Sequence, residues 1–238
     1  MIHHFTCRKF GFTLAEVLIT LGIIGIVAAI TLPSVINKTQ DKQFKSMFKK
    51  QYSAIAQALQ MVYAKDGENL DFYSGTGINN QNFWKMAIFI CKIGAELKTV
   101  KSSLICTEEN MNMGGNMQYN NDVSWHKSNN WFDKQGNPMV LNSGYNKFNL
   151  ILSDGALINF NCRNYVFIDV NGYNKPNTVG RDIFYFKLNE KNLTPIFFDN
   201  DNVNACTSPY NTQITEDNYK EDCETGSGWG CSPLYIME

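Results

Sequence analysis

Between Phe12 and Leu32 the chain carries one ionisable side chain, Glu16, in an otherwise apolar run. As a helix rising 1.5 Å per residue, such a run crosses a hydrocarbon core of about 30 Å, so residues 12–32 read as a membrane span. A secretory signal peptide is disfavoured, because its apolar region is about 7 to 15 residues and ends at a small-x-small cleavage site. Gly22 and Gly25 would let neighbouring helices approach closely, or are simply tolerated by lipid. Pro33 removes a backbone donor and predicts a kink or a loosened turn at the end of the span.

The flanks do not fix orientation. Met1 to Gly11 holds Arg8 and Lys9 and no acidic residue, but Lys38, Lys42, Lys45, Lys49 and Lys50 follow the span, opposed only by Asp41. Basic flanks normally stay cytoplasmic, and here both sides are basic.

Beyond Pro33 the pattern turns amphipathic. Phe44, Phe48, Tyr52, Ile55, Leu59 and Val62 recur at steps of three and four, one face of a helix. Gly67 is a natural C-terminal cap, so one helix is expected from Phe12 to Asp66, about 80 Å long. A coiled coil is the weaker reading of residues 44–62, which span too few heptads and lack a leucine seam.

The run Lys9-Phe10-Gly11-Phe12-Thr13-Leu14-Ala15-Glu16-Val17-Leu18-Ile19, followed by Gly22, Gly25, Ala28, Ala29 and Pro33, resembles the N-terminal signature of type IV prepilins and type II secretion pseudopilins. The resemblance implies that residues 1–11 are a leader held in the cytoplasm. A prepilin peptidase and N-methyltransferase would cut between Gly11 and Phe12 and methylate the new terminus. The mature chain would then cross the bacterial inner membrane once, with its head outside, and be assembled by an inner-membrane platform with other pilin or pseudopilin subunits. Its fold would be α+β and pilin-like, the long helix packed on an antiparallel sheet.

Glu16 gains a role in that setting. A carboxylate within a spanning helix costs up to about 3 kcal/mol unless paired. The resemblance implies that its partner is the terminal ammonium of Phe12 in a neighbouring subunit, one ion pair neutralising two charges in a medium of low dielectric and setting the axial stagger. A carboxylate lying near the headgroups is the plainer alternative.

Of seven cysteines, Cys7 would leave with the leader, and Cys91, Cys106, Cys162, Cys206, Cys223 and Cys231 remain, an even number that suits disulfides in an oxidising compartment. Proximity along the chain favours Cys91 with Cys106 and Cys223 with Cys231, leaving Cys162 for Cys206; other pairings stay open. No C-x-x-C pair occurs, and only His126 is left in the mature part, so a Cys/His zinc site is not visible.

Residues 67–238 form the head. A helix is expected at Asn82–Leu97, with Phe83, Ala87, Ile90 and Ile93 or Gly94 on one face. Residues 98–147, polar and rich in Gly and Asn, read as a long irregular insertion. Strands are expected at Phe148–Leu152, Ala156–Phe160, Tyr165–Val170, Asp182–Leu188 and Pro195–Phe198, the first two joined by the turn Ser153-Asp154-Gly155. Together they suggest an antiparallel meander packed on the long helix. The tail, residues 206–238, has three cysteines and three glycines near its end and is expected to have little core of its own, held down by disulfides.

One head segment offers ligand chemistry. In Asp169-Val170-Asn171-Gly172 through Pro176-Asn177 to Gly180-Arg181-Asp182, oxygen atoms of Asp169, Asn171 and Asp182 suit Ca²⁺. The spacing is not that of an EF-hand, because glycine is fourth rather than sixth and the closing glutamate is absent. The same side chains suit a structural turn that bonds its own amides, and that is the favoured reading of the two.

The net charge of -1 supplies no basic field for nucleic acid. No G-x-S-x-G, phosphate loop or H-E-x-x-H is present. The resulting expectation is a non-enzymatic filament subunit needing no obligate cofactor. Two alternatives remain, a membrane-anchored extracytoplasmic binding protein and a competence-type minor pilin that binds DNA through residues such as Lys127 and Trp131.

Overall fold

The computed structural model describes residues 11–66, 80–112, 131–139, 148–160, 165–189, 192–197 and 213–238. The chain divides into two compact units between Lys42 and Gln43. One helix, α1 (Leu14–Asp66), contributes to both, and it is continuous across Pro33. The kink or loosened turn expected there does not interrupt it. α1 starts two residues later than the apolar run, because Thr13 acts as its cap.

In the first unit the helix turns apolar side chains outward all round. Leu18, Ile23, Ile26 and Ile30 are each more than half exposed, and the segment is long and apolar enough to cross a membrane. A helix apolar on every side needs a non-aqueous surrounding, which is consistent with membrane anchoring.

The second unit is the head. It comprises residues 43–66 of α1, α2 (Asn80–Glu96), β1 (Thr99–Ser102), α3 (Glu108–Asn112), β2 (Trp131–Phe132), β3 (Pro138–Met139), β4 (Phe148–Leu152), β5 (Leu157–Phe160), β6 (Tyr165–Asp169), β7 (Ile183–Leu188), β8 (Leu193–Thr194), α4 (Tyr219–Thr225) and α5 (Cys231–Met237). Six strands form one sheet in the order β1-β4-β5-β6-β7-β8, and β2 and β3 pair separately. Every pairing in the six-stranded sheet is antiparallel. The architecture is the α+β, pilin-like one.

Strand alternation gives the sheet two apolar faces. Ile158, Phe160, Val166, Ile168, Phe184 and Phe186 belong to a core shared with Phe48, Ile55 and Leu59 of α1 and Ile90 and Ile93 of α2. Leu157, Phe167, Ile183 and Tyr185 belong to a second core with Trp131, Val179, Ile214 and Trp229. Neighbouring positions on a strand face opposite ways, and burial on both faces explains why β6 and β7 read as nearly unbroken apolar runs.

The helix docks through aromatic packing. Phe48 stacks on Phe184 with ring centroids 4.4 Å apart, and Tyr52 meets Phe186 edge-on at 5.2 Å while its hydroxyl donates to the Leu193 carbonyl at 2.9 Å. At the β4–β5 turn, Asp154 Oδ2 accepts from both Lys50 Nζ and Gln51 Nε2 at 2.6 Å. Burial alone would raise the Asp154 carboxyl, but the Lys50 hydrogen bond and charge, with bonds from the Ala156 amide and Gln51, hold it below its ordinary value. A carboxylate lowered on folding stabilises the fold above its unfolded pKa, and that contribution disappears as pH falls through the folded one. Asp154→Asn should therefore lower head stability by about 1 kcal/mol at neutral pH, with the deficit closing below about pH 4. Denaturant melts at the two pH values check this, and a deficit that persists in acid would rule the charge out.

Three expectations differ from the structure. The stretch 98–147, read as an irregular insertion, supplies β1, an edge strand of the main sheet, and also α3, β2 and β3. β1 lacked a pattern because an edge strand needs few apolar residues, and its register shifts between Thr99 and Lys101. The last strand lies at Leu193–Thr194 and not at Pro195–Phe198. Pro195 has no N–H to place in a ladder, and the Asn189 amide bonds the Asn192 carbonyl at 2.8 Å, closing the hairpin early; Phe198 lies outside the described residues.

The tail is the third difference. It forms α4 and α5 and places Trp229, Cys223, Cys231 and Ile214 in the cores. β8 covers only Lys187 and Leu188 of β7, and the tail reaches the strand beyond it. The Tyr185 amide donates to Ser232 Oγ at 3.0 Å, and the Tyr185 hydroxyl donates to the Trp229 carbonyl at 2.7 Å. Asp222 ties the intervening turn by accepting from the Ser227 amide and hydroxyl and from the Gly230 amide, all within 2.8 Å. Disulfides join Cys223 to Cys231 and Cys91 to Cys106. Cys7, Cys162 and Cys206 lie outside the described residues.

Candidate functional site

At the start of α1, Gly11, Phe12 and Thr13 precede the first helical turn. Phe12 is 88% exposed, and nothing lies within 4 Å of the Gly11 β position. The Gly11–Phe12 bond thus lies outside the helix, with no cover among the described residues.

Two residues on, Thr13 and Glu16 bond reciprocally. The Thr13 amide and hydroxyl each donate to Glu16 Oε2 at 2.8 Å, and the Glu16 amide donates to Thr13 Oγ1 at 3.2 Å. This is a capping box, in which the cap hydroxyl and the carboxylate three residues later satisfy two amides left without helical partners. The negative charge also sits at the positive end of the helix dipole. Glu16 is thus held by its own chain through Oε2, while Oε1 accepts no bond among the described residues. Thr13 was not among the residues expected from the sequence, although T-x-x-E before an apolar run is a readable capping signature. Arg8 and Lys9 lie outside the described residues.

The second cluster is the loop between β6 and β7. Asp169 ends β6 and Asp182 precedes β7; both are fully buried, and the Val170 amide bonds the Asp182 carbonyl at 2.9 Å. Asp182 accepts from the Asn177 amide at 2.8 Å and the Thr178 amide at 2.6 Å. Asp169 Oδ1 accepts a long bond of 3.3 Å from the Asn171 amide. The Asn171 side-chain amide donates to the Lys175 carbonyl at 3.1 Å. Burial pushes the Asp169 carboxyl well above its ordinary value, and the neighbouring Asp182 charge pushes the same way. Asp182 is also raised by burial, against the pull of its amide donors.

The structure therefore brings Asp169, Asn171 and Asp182 into one loop and adds Asn177, whose left-handed backbone (φ 53) is a conformation asparagine tolerates. Only the P-N pair in the sequence hinted at it. Among the described residues no three His, Cys, Asp or Glu side chains gather as a metal cluster; the oxygen set in this loop is half carboxylate and half amide.

In comparison with protein families, the model of the prokaryotic N-terminal methylation motif matches residues 7–32. Neither curated proteins nor solved structures give a match.

Proposed function

We propose that this chain, which carries the type IV prepilin and pseudopilin signature over residues 7–32, is a non-enzymatic structural subunit of a type II secretion pseudopilus or a type IV pilus. The methylation motif supports a pilin-like substrate of prepilin peptidase, and the observation that carries the rest is its position. It lies on the first stretch of α1, whose apolar side chains are exposed all round and where Glu16 is the one ionisable side chain between Phe12 and Leu32, next to the end to be cut.

The peptidase removes residues 1–11 at the exposed Gly11–Phe12 bond and methylates Phe12. Until assembly, Thr13 satisfies one Glu16 oxygen inside the membrane, so the carboxylate does not enter lipid bare. In the filament, the Phe12 ammonium of an adjacent subunit approaches the other oxygen, and the pair sets the stagger. The mature protein sits single-pass in the inner membrane with its head outside the cytoplasm, and an inner-membrane platform passes it to other pilin or pseudopilin subunits. Residues 12–32 supply the anchor and the filament axis, and residues 67–238 supply the presented surface.

Co-expression with a prepilin peptidase tests the reading. The chain should shorten by the mass of Met1–Gly11 and gain a methyl group on Phe12, seen as an intact-mass change. A chain of unchanged mass beside a control prepilin that is cut would point to a plain anchor.

A further inference from the structure

The two disulfides described in the head differ in what surrounds them. Cys223 and Cys231 are 4% and 0% exposed, and both belong to the core shared by the sheet and α1. Cys91, on α2, is buried in that core too, but its partner Cys106, in the stretch between β1 and α3, is exposed. Cys91 and Cys106 also line a groove of about 460 Å³ between α2 and β1, together with Lys92 and Lys101. Among the described residues no carboxylate lines it. Disulfide exchange requires a thiolate to reach one of the two sulfurs, and neighbouring positive charge favours the thiolate both as attacker and as leaving group.

We propose that Cys91–Cys106 is a thiol–disulfide exchange site that accepts electrons from a dithiol, whereas Cys223–Cys231 is structural. The incoming thiolate attacks Cys106 Sγ, and the bond to Cys91 breaks. Cys91 leaves as a thiolate and takes a proton from water, so the mixed disulfide lies on Cys106. The second thiolate of the reductant then attacks its own sulfur in that mixed disulfide and expels the Cys106 thiolate, which is protonated in turn. Two electrons have passed from the dithiol, now a disulfide, to the head, now holding two thiols. Access sets the point of attack, because Cys106 is the exposed member of the pair.

The fold around this pair holds without the bond. β1 stays on β4 through Lys101 opposite Ile151 and Ser102 opposite Leu150. Just beyond it, the Ser103 amide donates to the Asn149 carbonyl at 2.8 Å and the Asn149 amide donates to Ser103 Oγ at 2.7 Å. α2 is anchored by Ile90 and Ile93, both fully buried. None of these contacts passes through sulfur. Reduction therefore loosens the link between α2 and the segment after β1 while leaving both elements docked, and reoxidation can restore it. Filament assembly is a separate matter, since a head whose disulfides are equally inert would leave the reading of α1 untouched.

The test uses the full-length oxidised chain in detergent, without denaturant, exposed to dithiothreitol at about 1 mM. Samples taken over time are blocked with excess iodoacetamide, and the labelled cysteines are mapped by peptide mass. Cys91 and Cys106 should become labelled together, at least about tenfold faster than Cys223 and Cys231, with the far-ultraviolet circular dichroism unchanged. Equal rates, earlier labelling of Cys223 and Cys231, or labelling of Cys91 and Cys106 only after urea has unfolded the head would overturn the proposal. Two variants given oxidised glutathione read the point of attack. In Cys91→Ser, Cys106 should take up glutathione at least about tenfold faster than Cys91 does in Cys106→Ser, and the reverse order would contradict attack at Cys106. The mapping on the unaltered chain needs neither variant, so it decides the matter even if both fail to fold.

Discussion

Glu16→Gln is expected to be cut and methylated normally and yet to be lost from filaments. Glutamine still offers a carbonyl oxygen to the Thr13 amide, and glutamine at the third helical position completes a capping box as glutamate does, so the start of α1 persists. What disappears is the charge that the Phe12 ammonium of the next subunit would meet. Leaving one member of a buried pair without its partner costs about 3–5 kcal/mol, a factor of roughly 100 to 1000 or more at every subunit contact. Polymer yield, measured by shearing and quantifying filaments against total processed subunit, should fall to background. Glu16→Ala should behave alike and lose in addition about 1 kcal/mol of cap stability. The glutamine variant separates the two roles, because normal filaments from it would assign Glu16 to capping alone.

The second large effect concerns the head. Phe48 is fully buried, stacks on Phe184 at 4.4 Å and lies 6.2 Å from the ring of Tyr52, so Phe48→Ala removes the centre of the contact between α1 and the sheet. Truncating a buried phenylalanine costs about 3–5 kcal/mol, which is a large share of the about 5–15 kcal/mol that holds a domain together. Urea unfolding of the full chain in detergent, followed by tryptophan fluorescence, should show an unfolding free energy lowered by that amount or a head already unfolded in buffer. Phe48→Leu keeps most of the volume and should lose less than half as much. A loss under about 1 kcal/mol for alanine would mean that residues 43–66 of α1 are not packed as described.

How far the sequence led depends on how far each residue's partner lies along the chain. Phe44, Phe48, Ile55, Leu59 and Val62 announce α1 through spacing alone, because a helix repeats its face every three or four residues. The meander was readable for a similar reason, since β4 to β7 are apolar runs, the first two joined by a tight turn and the last two by the Asn- and Gly-rich loop after Asp169, and Phe148–Leu152 appears in the structure with the expected bounds. Thr99–Ser102 was not readable, because an edge strand takes its place from the strand beside it and not from its own composition. Cys231–Met237 was missed for the same reason. Ser232 and Trp229 are polar-tail residues by local context, and only their pairing with Tyr185, some forty positions earlier, gives them structural meaning.

The candidate sites divide along the same line. Gly11, Phe12 and Glu16 form a contiguous pattern whose meaning is local, and it is this pattern that the methylation motif matches. Thr13 is equally local, since the T-x-x-E spacing that makes it the cap is contained in four consecutive residues. In the β6–β7 loop Asp169, Asn171 and Asp182 were visible as oxygen donors, whereas the burial of Asp169 Oδ2, Asn171 Oδ1 and Asn177 Oδ1 without donors is a property of packing and cannot be written in the order of residues. Asn177 belongs with them for that reason.

The most direct measurement is the intact mass and N-terminal sequence of this chain recovered from sheared filaments of the cell that makes it. The account predicts one species, beginning at N-methylated Phe12 and lacking Met1–Gly11, in the polymer fraction. A chain that keeps its first eleven residues and is found only as a membrane-bound monomer would contradict it.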